Sequence, residues 1–186
     1  MTANLSQLSE DDLLDLVRDG NVRAYGELYD RFLDEIYRYL FFRVARNQLE
    51  AEDLAQEVFL KAWDVISRPK KSSKKDNFRA LLYRISHNLA VDRWRGHKEQ
   101  VAWDEENPPA AASAGELPEA KLVAQEQSLM LAEAVRELEP KLQEVFICRF
   151  INNLSHAETA QVLGLKEGHV RVLQHRALKK IRVEIE

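Results

Sequence analysis

Between Phe78 and Arg95 the chain reads FRALLYRISHNLAVDRWR, directly after the basic run PKKSSKK, and here the residue types suited to handling nucleic acid are most concentrated. Phe78, Leu81, Leu82, Ile85 and Leu89 recur at helical spacing and are expected to pack inward. Arg84, His87, Asn88, Val91 and Arg95 then fall together on another face, with Trp94 beside them. An asparagine can pair with a base edge, and an aromatic ring can stack on an unpaired base for about 1 to 3 kcal/mol. Lys70, Lys71, Lys74 and Lys75 in the preceding loop attract phosphates without regard to sequence, although four lysines also suit a merely solubilising loop. The combination favours a strand whose bases are exposed.

A second group of residues points to duplex DNA. Leu154 to Arg182 reads LSHAETAQVLGLKEGHVRVLQHRALKKIR, in which Ser155 and Glu158 form a capping box and fix a helix start. Ala160, Gly164, Val170 and Leu173 supply a small residue, a turn glycine and two inward apolar residues at the spacings of a helix-turn-helix. Its second helix presents Lys166, Glu167, His169, Arg171, Val172 and His175, where the amino-terminal part of such a helix enters the major groove. Arg176, Lys179, Lys180 and Arg182 lie further along and suit phosphate contacts. A plain helical hairpin with a basic exposed face is the blander explanation of the same pattern.

These groups need elements to hold them, and the pattern is all-α. Tyr25, Leu28, Tyr29, Phe32, Ile36, Tyr39 and Leu40 recur at three and four residue steps, after a short helix that Gly20 and Asn21 close off. A further helix starts near Glu50, with Leu54, Ala55, Val58, Phe59, Ala62 and Ile66 as its apolar stripe, and ends near Ile66. Its other face carries Asp53, Gln56, Glu57, Leu60 and Asp64. A solvated face explains the charges, but an apolar Leu60 ringed by carboxylates suits a protein-docking surface. Pro69 breaks the chain after that helix. Between Val101 and Lys121 the sequence VAWDEENPPAAASAGELPEAK has no apolar period and reads as a linker. The expected architecture is two small helical domains, residues 1–100 and 126–186, joined by a flexible acidic linker over 101–125, the second domain being the helix-turn-helix.

Charge follows this division. Residues 1–66 carry 7 Lys+Arg against 14 Asp+Glu, 67–98 carry 10 against 2, 99–139 carry 2 against 10, and 140–186 carry 8 against 5. The net charge of −4 therefore conceals two basic segments, and affinity for phosphate follows local charge.

The function classes that the sequence disfavours are also plain. There is no phosphate-cradling glycine loop, metal-ligand spacing or nucleophile-base set, so no catalytic residue, metal or cofactor is expected, and the histidines are too scattered for a ligand set. The single Cys148, in VFICRF, excludes an internal disulfide and fits a buried small hydrophobe in a reducing compartment. The acidic N-terminus lacks the pattern of a signal peptide and no run is long enough to span a membrane, so a cytoplasmic protein without membrane insertion is expected.

Three stretches in order, EAEDLAQEVFLKAW at 50–63, FRALLYRISHNLAVDRWR at 78–95 and the C-terminal helix-turn-helix, resemble a bacterial sigma factor of the compact extracytoplasmic-function group. The resemblance covers roughly residues 22–98 and 128–183. It implies that the first domain is region two, in which Asp53, Gln56, Glu57 and Leu60 dock on the clamp of the β and β-prime subunits of core RNA polymerase. It implies that the loop from Ser67 to Asn77 and a helix bearing Asn88, Asp92 and Arg93 capture a flipped base of the minus-ten element, beside Arg84, His87, Trp94 and Arg95. Flipping costs a few kcal/mol that stacking and edge contacts must offset. The second domain resembles region four, whose recognition helix reads the minus-thirty-five element, and an anti-sigma factor is an implied partner. Where such factors often carry Lys-Ser-Arg-Leu this chain has Arg171, Val172, Leu173 and Gln174, which bears on base preference. The rival reading is a helix-turn-helix regulator that binds duplex DNA without polymerase; the 50–95 block argues against it, since a sensor domain has no use for a docking helix beside a single-strand surface.

Overall fold

The structure is a computed structural model that describes residues 4–44, 47–67, 77–101, 131 and 133–185, the side chains of 94–101 and of 184 and 185 excepted. It divides into two compact units, Met1–Arg93 and Trp94–Glu186. Among the described residues there are helices and no strands. The acidic linker over 101–125 lies outside the described residues apart from the backbone of Val101.

In the first unit α1 (Glu10–Arg18) begins at a capping box in which Ser9 and Asp12 satisfy each other's backbone N–H groups. Glu10, Asp11 and Asp12 in its first turn complement the helix dipole. It buries Leu13, Leu14 and Val17 and stops at Gly20, whose φ of +86° is open to glycine at no steric cost. One residue later the Asn21 side chain accepts the N–H groups of Arg23 and Ala24 and starts α2 (Val22–Arg43).

Helix α3 (Gln48–Ile66) is capped by Asn47 and so begins two residues before the start near Glu50 that periodicity suggests. Its buried face, Ala51, Leu54, Ala55, Val58, Phe59 and Ala62, is rich in alanine, which lets α2 lie close against it. Burying side chains of the Val, Leu and Phe class contributes roughly 1.5 to 3 kcal/mol each. Aromatic rings fill the space around them: Tyr29 meets Phe59 at 4.6 Å and Tyr25 meets Trp63 at 5.0 Å between centroids.

Helix α4 (Phe78–Val101) is aimed by contacts with the helices before it. Asn77 caps the Ala80 N–H, and the Glu10 carboxylate of α1 accepts the Phe78 N–H at 3.1 Å. Both acceptors sit where four N–H groups lack intrahelical partners. A turn further on, Arg79 and Tyr83 both donate to Glu35 Oε1 of α2, at 2.7 and 2.6 Å. Arg31 of α2 meanwhile holds the N-terminal segment by donating to the carbonyls of Leu5, Ser6 and Leu8.

The inward face of α4 differs from the expected leucine stripe. Phe78, Leu82, Tyr83, Ser86 and Ala90 are buried, whereas Leu81, Ile85 and Leu89 are half-buried. Tyr83 and Ser86 can be interior because their hydroxyls are satisfied, one by Glu35 and the other by the Leu82 carbonyl at 2.8 Å.

In the second unit α5 (Pro140–Phe146) has proline at its first position, where the missing N–H is no loss, and runs into a π-helical turn over Ile147–Ile151. Leu142, Val145, Phe146, Ile147 and Cys148 are buried along it. Helix α6 (His156–Leu163) starts at the capping box of Ser155 and Glu158 and ends at Gly164 with φ of +65°. Helix α7 (Glu167–Ile185) follows and buries Val170, Leu173, Ala177 and Ile181, one residue every three or four. Both α5 and α6 pack on α7, so the turn between α6 and α7 is held from two sides.

Candidate functional site

The docking candidate sits on the solvent face of α3. Asp53, Gln56, Glu57 and Leu60 are all exposed, at helix positions three and four apart that share one side. Leu60 is 68% exposed, an apolar side chain in water among acidic neighbours. Glu57 is paired with Lys61 at 3.2 Å, one turn on, so part of the acidity of this face is internally balanced.

Beside this face, between α2 and α3, lies an open cleft of about 480 Å³. Tyr29, Leu33, Asp34 and Tyr37 line it from α2, and Glu52 and Gln56 from α3. Gln56 belongs to both the cleft and the docking face. Burial and the nearby Glu52 charge hold the Tyr37 phenol above its usual range. Sequence reasoning missed the cleft because Tyr29 and the stripe of α2 read as core; the signal present was the pair of acids, Asp34 and Glu52, next to those aromatic positions.

On α4 the outer row is Arg84, Asn88 and Asp92, four residues apart and all exposed. His87 is half-buried, as is Val91, so neither stands on the open surface with Asn88. Arg93 is exposed yet donates to Glu50 of α3 at 2.8 Å, which pins it toward the start of that helix. Lys70, Lys71, Lys74 and Lys75, and the side chains of Trp94 and Arg95, lie outside the described residues.

In the second unit the six residues expected to face outward at the start of α7, Lys166, Glu167, His169, Arg171, Val172 and His175, are all exposed, and so are Arg176 and Lys179. Lys166 occupies the capping position: its carbonyl accepts the N–H groups of His169 and Val170. Arg171 lies 4.0 Å from Glu167, one turn back, a loose pair that leaves the guanidinium free to reorient. Lys180 is drawn away from a phosphate role by a 2.8 Å ion pair with Glu139, whose carboxyl it holds below the usual carboxylate range through a hydrogen bond and its charge.

One positioning residue was not visible from spacing alone. Arg149, in the π-helical turn, donates to Gln174 of α7 at 2.9 Å and to the Leu154 carbonyl, joining three segments around the helix-turn-helix. Among the described residues no cluster of His, Cys, Asp or Glu suits a metal ion, and no helix is long and apolar enough to cross a membrane.

The family profile of Sigma-70 region 2 matches residues 28–100, and that of Sigma-70, region 4 matches residues 134–183. The chain is 33% identical to the ECF RNA polymerase sigma factor BldN of Streptomyces coelicolor over 91% of its own length, and spans 63% of that longer protein. It is 30% identical to the ECF RNA polymerase sigma factor SigW of Bacillus subtilis, covering 91% of this chain and 92% of SigW. In fold it is similar to CnrH, solved in complex with the cytosolic domain of CnrY, with a TM-score of 0.70 at 22% identity over 95% of this chain and 96% of CnrH. The sigma factor RpoE of Bartonella quintana, solved with the anti-sigma factor NepR, gives 0.66 at 18% identity over 87% and 96%. With both regions matched in order and SigW covered almost end to end, the chain belongs to the extracytoplasmic-function group of the sigma-70 family of RNA polymerase sigma factors.

Proposed function

We propose a division of labour among the surfaces of this sigma factor, within the family activity of binding core RNA polymerase, directing it to promoters and promoting strand opening. The α3 face of Asp53, Gln56, Glu57 and Leu60 docks on the clamp formed by the β and β-prime subunits. The row Arg84, Asn88 and Asp92, with His87, Arg93, Trp94, Arg95 and the lysines at 70, 71, 74 and 75, handles the opened minus-ten element. The start of α7, from Lys166 through Arg171 to His175, reads the minus-thirty-five element as duplex, with Arg176 and Lys179 on phosphates. RNA synthesis itself belongs to the polymerase, and the factor works in the cytoplasm.

The observation that carries this reading is Leu60, 68% exposed on a face of α3 that it shares with Asp53, Gln56 and Glu57, with Lys61 beside it paired to Glu57. A regulator acting on duplex DNA alone has no use for that surface. An exposed leucine among polar groups is the arrangement of an interface whose apolar centre is desolvated on docking and whose rim stays wet. The test is run-off transcription on genomic fragments with purified core polymerase, with and without this protein. Specific starts that require the protein are expected; no association with core polymerase overturns the proposal.

An anti-sigma factor that covers these same surfaces is part of the proposal, supported by the inhibitor-bound relative from Bartonella. Co-purification from the native host is expected to yield such a partner, and full activity of the freshly isolated factor with nothing bound counts against it.

A further inference from the structure

We infer that the cleft between α2 and α3 is a socket for a cationic side chain of the polymerase clamp, extending the docking face of α3. The inference rests on the docking reading above and goes beyond it by naming the chemistry of a second contact and the residues that supply it.

Glu27, Glu35, Glu50 and Glu57 each have a cation of this chain within ion-pair distance: Arg31, Arg79, Arg93 and Lys61. Asp30, Asp53 and Asp64 have no ion pair among the described residues, and neither do Asp34 and Glu52, which are set apart by lining the cleft together; Glu52 is met only by the neutral amide of Gln48 at 3.0 Å. Two carboxylates left unbalanced across one opening favour a positive group from outside.

The walls favour the same guest. Tyr29 and Tyr37 line the cleft, and each ring is braced by another, Phe59 at 4.6 Å and Phe41 at 5.9 Å. Braced rings need little ordering when a ligand arrives, and the face of an aromatic ring attracts a cation. The position fits the docking surface too, because Gln56 lines the cleft and also lies in the row with Asp53, Glu57 and Leu60. A clamp resting on Leu60 therefore has its neighbouring side chains within reach of the opening. An apolar guest would instead leave Asp34 and Glu52 desolvated without a partner.

The test measures the affinity of the full chain for core polymerase. The double variant Asp34→Asn, Glu52→Gln is expected to bind about tenfold more weakly at low salt, with the deficit shrinking as salt rises. Tyr37→Leu is expected to lose about fivefold, and Tyr37→Phe, which keeps the ring, to bind like the parent. Thermal melting of each variant separates lost contacts from lost fold, since Asp34 and Glu52 are exposed and neither serves the core. Unchanged affinity in the double variant, a deficit that salt does not alter, or equal loss in both Tyr37 variants overturns the inference. Leu60→Ala, measured in parallel, keeps the two ideas apart: if it weakens binding while the cleft variants do not, the socket fails and the docking face stands. If Leu60→Ala has no effect, the docking reading itself fails.

Discussion

Arg171 and Asn88 stand for the two states of DNA that this chain is proposed to meet. Arg171 extends from the first turns of α7 with only a loose tie to Glu167, so its guanidinium can turn to a base edge at little cost. Arg171→Ala is expected to weaken binding to duplex carrying the minus-thirty-five element by about 1 to 3 kcal/mol and to relax base preference at one position, read by fluorescence anisotropy on a panel of duplexes. Asn88 lies on another helix of the other unit, exposed between Arg84 and Asp92. Asn88→Ala is expected to leave that duplex affinity unchanged and to reduce strand opening, followed by the fluorescence of a base analogue in the minus-ten element. Equal loss of both activities in both variants contradicts the division. Neither residue needed the structure to be noticed, since their types and spacing mark them. His87 did: its place beside Asn88 in a helical projection suggests a surface group, whereas the packing of α4 takes it half out of solvent.

At the scale of elements, hydrogen bonds between helices decide what periodicity cannot. The leucines of α4 suggest one inward face, but the helix is rotated so that Tyr83 and Ser86 are interior and Leu81, Ile85 and Leu89 lie at the margin. The cause is Glu35, on α2 and far off in sequence, which accepts both Arg79 and Tyr83 and so fixes the turn of α4 about its own axis. Local pattern contains no trace of that partner. Caps, by contrast, are legible because they are local: Ser155 and Glu158 start α6 where the spacing predicts. A similar long-range bond joins Tyr25 of α2 to the Phe59 carbonyl of α3. Burial, mainly, pushes the Tyr25 phenol well above its ordinary value of 10.0. Because the folded state disfavours the phenolate, the stability it confers is complete below about pH 10, where the unfolded chain also keeps the proton, and declines as pH rises beyond. Tyr25→Phe is expected to cost about 1 kcal/mol near neutrality and to flatten this alkaline decline, measured by urea unfolding at a series of pH values.

For the whole molecule, net charge is a poor guide to behaviour. The chain carries −4 overall, yet the exposed start of α7 and the residues after it gather Lys166, Arg171, Arg176 and Lys179. Duplex binding is therefore expected to weaken steeply with salt despite the acidic average, since released counterions follow the phosphates contacted. Lys179→Ala is expected to lower the slope of log affinity against log salt by about one without changing base preference. Lys180→Ala is expected to change that slope less, because Glu139 already engages its ammonium group. The alternation of charged blocks makes two basic segments legible in the sequence, whereas the two compact units part between Arg93 and Trp94, ahead of the Pro- and Ala-rich stretch expected to join them. The cleft beside Gln56 stayed hidden because it is made by two helices together, and its aromatic walls have the composition of an ordinary core.

The π-helical turn at Ile147–Ile151 holds one more residue per turn than the helix it continues. Removing a single residue there would let the wide turn close into regular α-helix with the register beyond it largely kept, whereas the same excision in an ordinary helix swings everything downstream by about 100° around the axis. The contact put at risk is the Arg149 brace to Gln174. The expected product keeps its helix content by circular dichroism and loses duplex affinity only as far as Arg149 loses its hold on the recognition helix.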